Sequence, residues 1–421
     1  MDFITTLYFI FTFIGFYHLS LFTLIYIQNK KRMFENPKPK KDYSLSIVIP
    51  CFNAEDTIGR TIQAQLDSDY LGLKKIIVVD DCSTDNSAKI IKEYEKKYEK
   101  VLYVKTPKNT GNAAGAKNYG AKFVKTELIG FSDDDSLPNK DAISKMMGFF
   151  NDEKVGAVTS RVLVRNKKNF LARIQSVEYK LIAFTRKLFG FVESIYVTNG
   201  PMSIYRKVGF DQVKGFNPNN LTEDIEITWN FVKHGWKVRI SLLAVAYTDV
   251  PLTLKAWFKQ RIRWNVGGLQ TVWAYRKTIL RCGMLGFFIW PYFTLAWILG
   301  ISGLGLLVYR VSRYIFLNYL AASYSLEAQT ALLRFNDISF SPSVLAFFGF
   351  VLLTLSLLYN VLALLHSREK SKEFKNENAF SFLAYMFVYL LLYPIVLIIS
   401  GIKFLRGYNE WGGTRFENVK K

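Results

Sequence analysis

The chain has 421 residues, half of them hydrophobic and 16% aromatic, and Lys plus Arg outnumber Asp plus Glu by 55 to 34. So large an apolar content excludes a disordered chain and a single small domain. Four stretches carry no Lys, Arg, Asp or Glu at all: residues 3–29, 283–309, 338–365 and 378–402, of 27, 27, 28 and 25 residues. Each is long enough to cross a bilayer core, which takes roughly 20 residues. The 89 charged side chains fall in the remaining 314 positions, an ordinary density for a water-soluble domain.

The first stretch, 3–29, has an apolar core too long for a cleaved signal peptide, and its basic flank lies on the C-terminal side, the opposite polarity. Lys30, Lys31, Arg32, Lys38, Lys40 and Lys41 follow it, against Glu35 and Asp42. By the positive-inside tendency this places the following domain in the cytosol. Cys51, Cys82 and Cys282 have no metal-type spacing and read as free thiols. Residues 30–282 hold 43 basic and 26 acidic side chains, an excess suited to nucleic acid, anionic lipid or phosphorylated ligands. Attachment to a membrane favours the last two.

From Ser44 short β-branched runs alternate with helical stretches. SLSIVIP precedes a helix over 54–67, KKIIVVD one over 86–97, VLYVKT one over 112–124, and ELIGFSD one over 139–149. This alternation predicts a mostly parallel sheet covered by helices, with ligands at the carboxyl ends of the strands. The acidic clusters fall there: Asp80 and Asp81 after the second strand, and Asp133, Asp134 and Asp135 after the fourth. No G-x-G-x-x-G follows the first strand and no G-x-x-x-x-G-K-[ST] occurs, so hydride transfer and ATP hydrolysis lose their main support. Further on, apolar residues at 170, 174, 177, 181, 184 and 188 predict a helix. Its other face, with Arg173, Lys180, Arg186 and Lys187, suits either the membrane surface or packing on the domain. A second helix over 252–264 leads to the next span.

In an extended segment Asp133 and Asp135 point to one side and Asp134 to the other. Such a pair holds Mg²⁺ or Mn²⁺ against a substrate diphosphate, or is an acidic turn after a strand. Asp80 and Asp81, before Ser83 and Asp85, read as acceptors for a nucleobase N–H or as part of a helix cap. Glu223 and Asp224, at the start of a helical run, read as caps or as the source of a general base for a sugar hydroxyl. Gln260, Arg263 and Trp264 share one helical face, where Arg263 suits a diphosphate and Trp264 a sugar, or the whole is a membrane-proximal helix. His18, His234 and His366 are too scattered for a metal site.

In this order IVIPCFNAED, VVDDCSTD, NTGNAAGAKNYGA, FSDDDSLP, TNGPMSIYR, LTEDIEITW and QRIRW resemble the family 2 inverting glycosyltransferases. The likeness is specifically to their membrane-bound processive branch of hyaluronan, chitin, cellulose and poly-N-acetylglucosamine synthases, over about residues 45–264. The resemblance implies a GT-A, Rossmann-like α/β domain with a mostly parallel sheet, joined to transmembrane and interface helices. It divides the chain into an N-terminal span (1–29), a cytosolic transferase domain (30–282), a membrane region with three clear spans (283–405) and a tail (406–421).

By the same resemblance Pro50, Phe52, Glu55, Asp80 and Asp81 surround the nucleoside, and Lys117 lies near the diphosphate. Asp133 and Asp135 are the D-x-D pair for Mg²⁺ or Mn²⁺, with Asp134 beside the donor. Asp224, next to Glu223, is the catalytic base. Gly200 and Pro201 resemble an acceptor-side element, and Gln260, Arg263 and Trp264 match the Q-x-x-R-W signature of chain-elongating members. Trp411 to Arg415 resembles a W-G-T-R gating segment that meets the nucleotide in the cytosol. One span before the domain and three after would leave that tail outside, so a fourth C-terminal crossing is expected within 311–333.

The implied activity is inverting transfer from a UDP-sugar to a growing glycan at a multi-pass plasma-membrane enzyme, with product passing through the helices as an added role. Nucleic acid is not an expected partner. The alternatives are a single transfer to a polyprenyl phosphate or other lipid acceptor, and a non-catalytic nucleotide-sugar-binding subunit.

Overall fold

A computed structural model describes residues 3–327, 344–366 and 379–408. The soluble domain follows a long N-terminal helix, α1 (Phe3–Asn29), and alternates strands and helices in chain order: β1 (Leu45–Cys51), α2 (Ile58–Leu66), β2 (Leu73–Asp80), α3 (Ser87–Lys97), β3 (Val101–Lys105), α4 (Ala113–Ala121), β4 (Leu128–Phe131), β5 (Leu137–Pro138), α5 (Ser144–Met147), β6 (Val155–Val164), α6 (Phe170–Phe191), β7 (Ser203–Arg206), α7 (Lys207–Gln212), α8 (Glu223–Lys233), β8 (Lys237–Thr248) and α9 (Leu254–Ala274).

The strands form one sheet in the order β3-β2-β1-β4-β7-β6-β8-β5. Its first four strands are parallel, β7 is antiparallel to both neighbours, β8 is parallel to β6, and β5 pairs antiparallel at the edge. All of β1 and β6 is buried, which is why their sequences run as continuous apolar stretches where helices cover both faces. Helix α4 approaches closely because Gly120 faces Val48 and Val79. A Cβ there would lie 2.5 Å from Val48. The helix expected over 139–149 shrinks to α5 and a 3₁₀ turn, Gly148–Asn151. A Cβ on Gly148 would lie 1.6 Å from the Pro37 carbonyl oxygen, so the segment packs against the chain that leaves α1.

Helices α6 and α9 are capped by Asn169 and Thr253, whose side chains accept from the backbone N–H groups of Ala172 and Ala256. The basic face of α6 does not lie open on a membrane surface. Lys180, Arg186 and Lys187 are buried, with Lys187 paired to Glu35 at 3.0 Å and Arg186 bonded to Asn199. The helix packs on the sheet with one side and meets α1 with the other, through Tyr26 against Phe184 and Phe22 against Phe189.

Among the described residues four helical segments are long and apolar enough to cross a membrane: Phe3–Arg32, Leu285–Glu327, Phe347–Leu365 and Ala379–Leu405. They comprise α1, α10 (Trp290–Glu327), α11 (Val344–His366), and α12 (Ala379–Ala384) with α13 (Leu390–Leu405). Helix α10 runs against α1, with Tyr292 beside His18 and Arg310 over Tyr8. Helix α11 runs with α1, its Gly349 against Tyr8 and its Tyr359 against Phe22.

The extra crossing expected within 311–333 is not a separate element among the described residues, because α10 continues unbroken through Glu327. Residues 328–333 lie outside them. The last apolar segment instead lies along the domain's own helices. Phe380 stacks on Phe170 of α6, the Tyr389 hydroxyl donates to Glu178 of α6, and Tyr393 meets Asn265 of α9. Further on, Leu397 packs where Gly300 leaves room and Gly401 faces Trp297, both in the early turns of α10.

Candidate active site

A cleft of about 820 Å³ opens at the carboxyl ends of β1, β2 and β4, the place that the strand order favours for a ligand. At one end it is bounded by Pro50, Cys51, Phe52, Asp81 and Asn109, and at the other by Phe293, Trp297 and Tyr393 of the apolar helices. Cys51 is buried, Cys82 partly buried and Cys282 exposed, and all three are free thiols.

The acidic pair after β2 divides its duties. Asp81 lines the cleft, and its carboxylate accepts from the Thr106 hydroxyl at 2.8 Å and from the N–H and hydroxyl of Thr110 at 2.9 and 2.8 Å. Asp80 is not on the cleft wall. It accepts from the Ser83 N–H and the Tyr103 hydroxyl, which folds the loop and pushes the Tyr103 phenol up to about 12 through burial first and this contact second. Glu55 also lies away from the cleft, where it accepts from the N–H and side-chain amide of Asn86.

The aspartate triplet is not extended. β4 ends at Phe131, and the Ser136 N–H returns to the Asp133 carbonyl at 3.2 Å. In this turn the strand's two-residue alternation lapses, so Asp133, Asp134 and Asp135 all reach the cleft wall. Gly200 allows this arrangement: a Cβ there would come within 2.2 Å of Asp133 Oδ2. Pro201 fixes the same turn by accepting from the Ser132 hydroxyl at 2.9 Å.

Lys117, expected beside a diphosphate, is 2% exposed and sits between two carboxylates, 3.0 Å from Asp133 Oδ1 and 2.9 Å from Glu223 Oε1. Burial works against its charge, but these two neighbours outweigh burial and raise its pKa. Its ammonium therefore braces the aspartate turn against α8 and is not presented to the cleft.

Glu223 and Asp224 begin α8. Both line the cleft: Glu223 also accepts from the buried Lys117 ammonium at 2.9 Å, and Asp224 accepts from the Ile225 N–H at 2.9 Å. Burial, reinforced by the charge of Glu223 and opposed by Lys117 and Arg263, pushes the Asp224 carboxyl up to about 7. A carboxylate so tuned can take a proton near neutral pH.

Gln260, Arg263 and Trp264 line the cleft together, as does Asn265. Arg263 Nη1 donates to the Leu221 carbonyl at 3.0 Å, tying α9 to the chain just before Thr222. Gly267 reinforces that join, since a Cβ there would fall 2.4 Å from Thr222 Oγ1 and 2.7 Å from its backbone nitrogen. The sequence reading passed over Gly267, and its position one helical turn after Arg263 and Trp264 was the available signal. It placed Arg186 only on a membrane or packing face and passed over Asn199; both line the cleft, and their mutual bond is one that only folding reveals. Arg415 and the rest of the 411–415 segment lie outside the described residues.

Among the described residues no three His, Cys, Asp or Glu side chains are grouped to enclose a metal ion. The Asp133 and Asp135 carboxylates on an open wall do fit Mg²⁺ or Mn²⁺, which commonly take one or two protein carboxylates and fill the other positions with water and substrate phosphate.

Residues 46–214 match the family model described as Glycosyl transferase family 2. The chain is 29% identical over 274 residues to poly-beta-1,6-N-acetyl-D-glucosamine synthase of Staphylococcus aureus, covering 64% of this chain and 66% of that protein. It is 30% identical over 240 residues to the Staphylococcus epidermidis protein of the same name, covering 56% and 58%. The matches thus span just under two thirds of these relatives' own length or less. Among solved structures, a mannosyltransferase from Pyrobaculum calidifontis in complex with GDP-Man and Mn²⁺ superposes with a TM-score of 0.59 at 16% identity, covering 94% of this chain and 98% of that one. The order of the sheet, the aspartate turn and the match over residues 46–214 agree: that segment is similar to the glycosyl transferase family 2 model, in an α/β fold shared with the mannosyltransferase and joined to a set of apolar helices.

Proposed function

We propose that the protein is a membrane-embedded polysaccharide synthase that transfers sugar from a UDP-sugar to a growing glycan with inversion. The observation that carries this reading is the continuity of one cleft, from Pro50 and Asp81 past Asp133, Asp135 and Asp224 to Gln260, Arg263 and Trp264, and on to Phe293 and Trp297. A chain-elongating enzyme needs donor, base and acceptor in one line. The poly-N-acetylglucosamine synthases among its relatives support UDP-GlcNAc as the first donor to try.

In this reading Pro50, Phe52 and Asp81 hold the nucleoside. Asp133 and Asp135 hold Mg²⁺ or Mn²⁺, which when bound neutralises the diphosphate leaving group. Arg263 faces that diphosphate, and Trp264 with Gln260 orients the acceptor for in-line attack. Asp224 takes the proton of the acceptor hydroxyl as its oxygen bonds to the anomeric carbon and the bond to the diphosphate oxygen breaks. Lys117 and Glu223 keep the two carboxylate groups in register.

The domain is read as cytosolic from the basic flank of α1. The last apolar segment supports a tail on that same side, because Gly401 returns to Trp297, seven residues into a 38-residue helix. Three crossings, by α1, α10 and α11, then suffice. Arg415, outside the described residues, is kept as a nucleotide contact on the resemblance alone, as is the division into anchor, domain, membrane region and tail. Passage of product through the helices is the further step for which Phe293, Trp297 and Tyr393 on the cleft wall give support.

The test is to incubate the purified protein with UDP-GlcNAc and Mg²⁺ or Mn²⁺, following UDP release and product size. Polymer supports the reading. A single-sugar lipid product replaces it with the lipid-acceptor alternative, and an absence of UDP release from every common UDP-sugar overturns it.

A further inference from the structure

A buried cluster joins the last apolar segment to the cleft, and the assignments above make no use of it. Arg261, between Gln260 and Arg263, is fully buried. Its Nη2 donates to Glu178 Oε2 of α6 at 2.5 Å, and the Tyr389 hydroxyl donates to the same oxygen at 2.6 Å. The Trp257 indole N–H donates in turn to the Tyr389 hydroxyl at 2.5 Å. Three elements distant in sequence, α6, α9 and the turn before α13, therefore converge on one guanidinium.

The other partner of that guanidinium is a ring. Its carbon lies 4.0 Å from the centroid of Trp264, whereas Trp257 is 5.9 Å away. Trp264 lines the cleft; Arg261 itself does not. The planar cation thus backs the one aromatic plate assigned to the acceptor.

As a device for stability the cluster is poor. A buried ion pair often contributes no more than well-packed apolar side chains of the same volume, and Arg261 Nη1 has no hydrogen-bond partner among the described residues. What it does supply is orientation, since a guanidinium held by two acceptor groups has a fixed plane.

We propose that Arg261, held by Glu178 and Tyr389, is a positioning residue that sets the Trp264 ring for the acceptor and links the last apolar segment to chain elongation. This rests on the reading of the cleft as that of a chain-elongating transferase.

The test uses the full-length protein in detergent or liposomes with Arg261→Lys and Tyr389→Phe. Arg261→Lys keeps the charge opposite Glu178 but removes the flat surface behind Trp264. Tyr389→Phe removes one hydroxyl and keeps the ring, so it folds even where the first variant does not. Three quantities are read with UDP-GlcNAc: UDP release without added acceptor, acceptor KM, and product length. Both variants are expected to raise acceptor KM about tenfold, the scale of a desolvated cation–π contact, and to shorten the product. UDP release without acceptor stays within about twofold, the pattern of a lost acceptor interaction and not of lost chemistry. Unchanged acceptor KM and length, or a fall in acceptor-free UDP release of about tenfold as well, overturns the positioning role. Wild-type protein that releases no UDP overturns the underlying transferase reading instead, which separates the two failures.

Discussion

The pH dependence of turnover follows directly from the surroundings of Asp224. Its carboxyl is pushed up to about 7 by burial and by the neighbouring charge of Glu223, against the lowering effect of Lys117 and Arg263. A base must be ionised to act, so the rate rises with pH through this value. With a pKa of about 7, roughly a tenth of Asp224 is ionised at pH 6 and roughly nine tenths at pH 8. UDP release at saturating donor and metal should therefore increase about tenfold across that interval. An aspartate at its ordinary value of 3.8 would give a flat profile there. The direction in stability is opposite: the folded state holds this proton more tightly than the unfolded chain, so the contribution of Asp224 to folding declines as pH rises from 3.8 to about 7. Glu223→Gln removes the neighbouring charge that raises the pKa and should move the acidic limb down. A flat rate between pH 6 and 8, or a limb that moves up in Glu223→Gln, refutes the assignment of Asp224 as base.

Other variants probe the supports of the cleft. Gly200→Ala places a Cβ 2.2 Å from Asp133 Oδ2; the strain of about 1–3 kcal/mol should appear as a donor or metal KM raised at least fivefold in a protein that still folds, and an unchanged KM contradicts it. Lys117→Met leaves Asp133 and Glu223 without their shared cation. Because Asp133 is partly exposed, the expected loss lies near the lower end of the usual range, about 3 kcal/mol, read as a lowered melting temperature, with the acidic limb of the rate moved up because Lys117 no longer opposes the shift of Asp224. Trp264→Ala should shorten the product while UDP release without acceptor persists, and full-length product would remove Trp264 from the acceptor site.

Much of this arrangement is written in local sequence. The buried runs of β1, β2 and β4 are mainly apolar because helices cover them, and aspartates appear only at or beyond the carboxyl ends of these strands, so Asp81 and Asp133 declare their place at the cleft. The three-and-four spacing of Gln260, Arg263 and Trp264 is likewise a property of one helix. What spacing conceals is pairing across the fold. Lys117 is drawn between Asp133 and Glu223, which are 16 and 106 positions away, and no local rule foretells that its ammonium is spent inside. Asp134 shares the wall with its neighbours because a turn, not a strand, carries the triplet. The last uncharged stretch has the composition of a crossing, yet Tyr389 and Tyr393 give its surface polar attachments to α6 and α9. Hydropathy alone does not register them.

The most direct test of the central claim compares wild-type protein and Asp224→Asn, each incubated with UDP-GlcNAc and Mg²⁺ or Mn²⁺, with UDP release and product size measured together. The account predicts polymer and steady UDP release from the wild type and loss of at least a hundredfold in rate for the variant, the lower bound for removal of a general base. Equal turnover by the two proteins would contradict it.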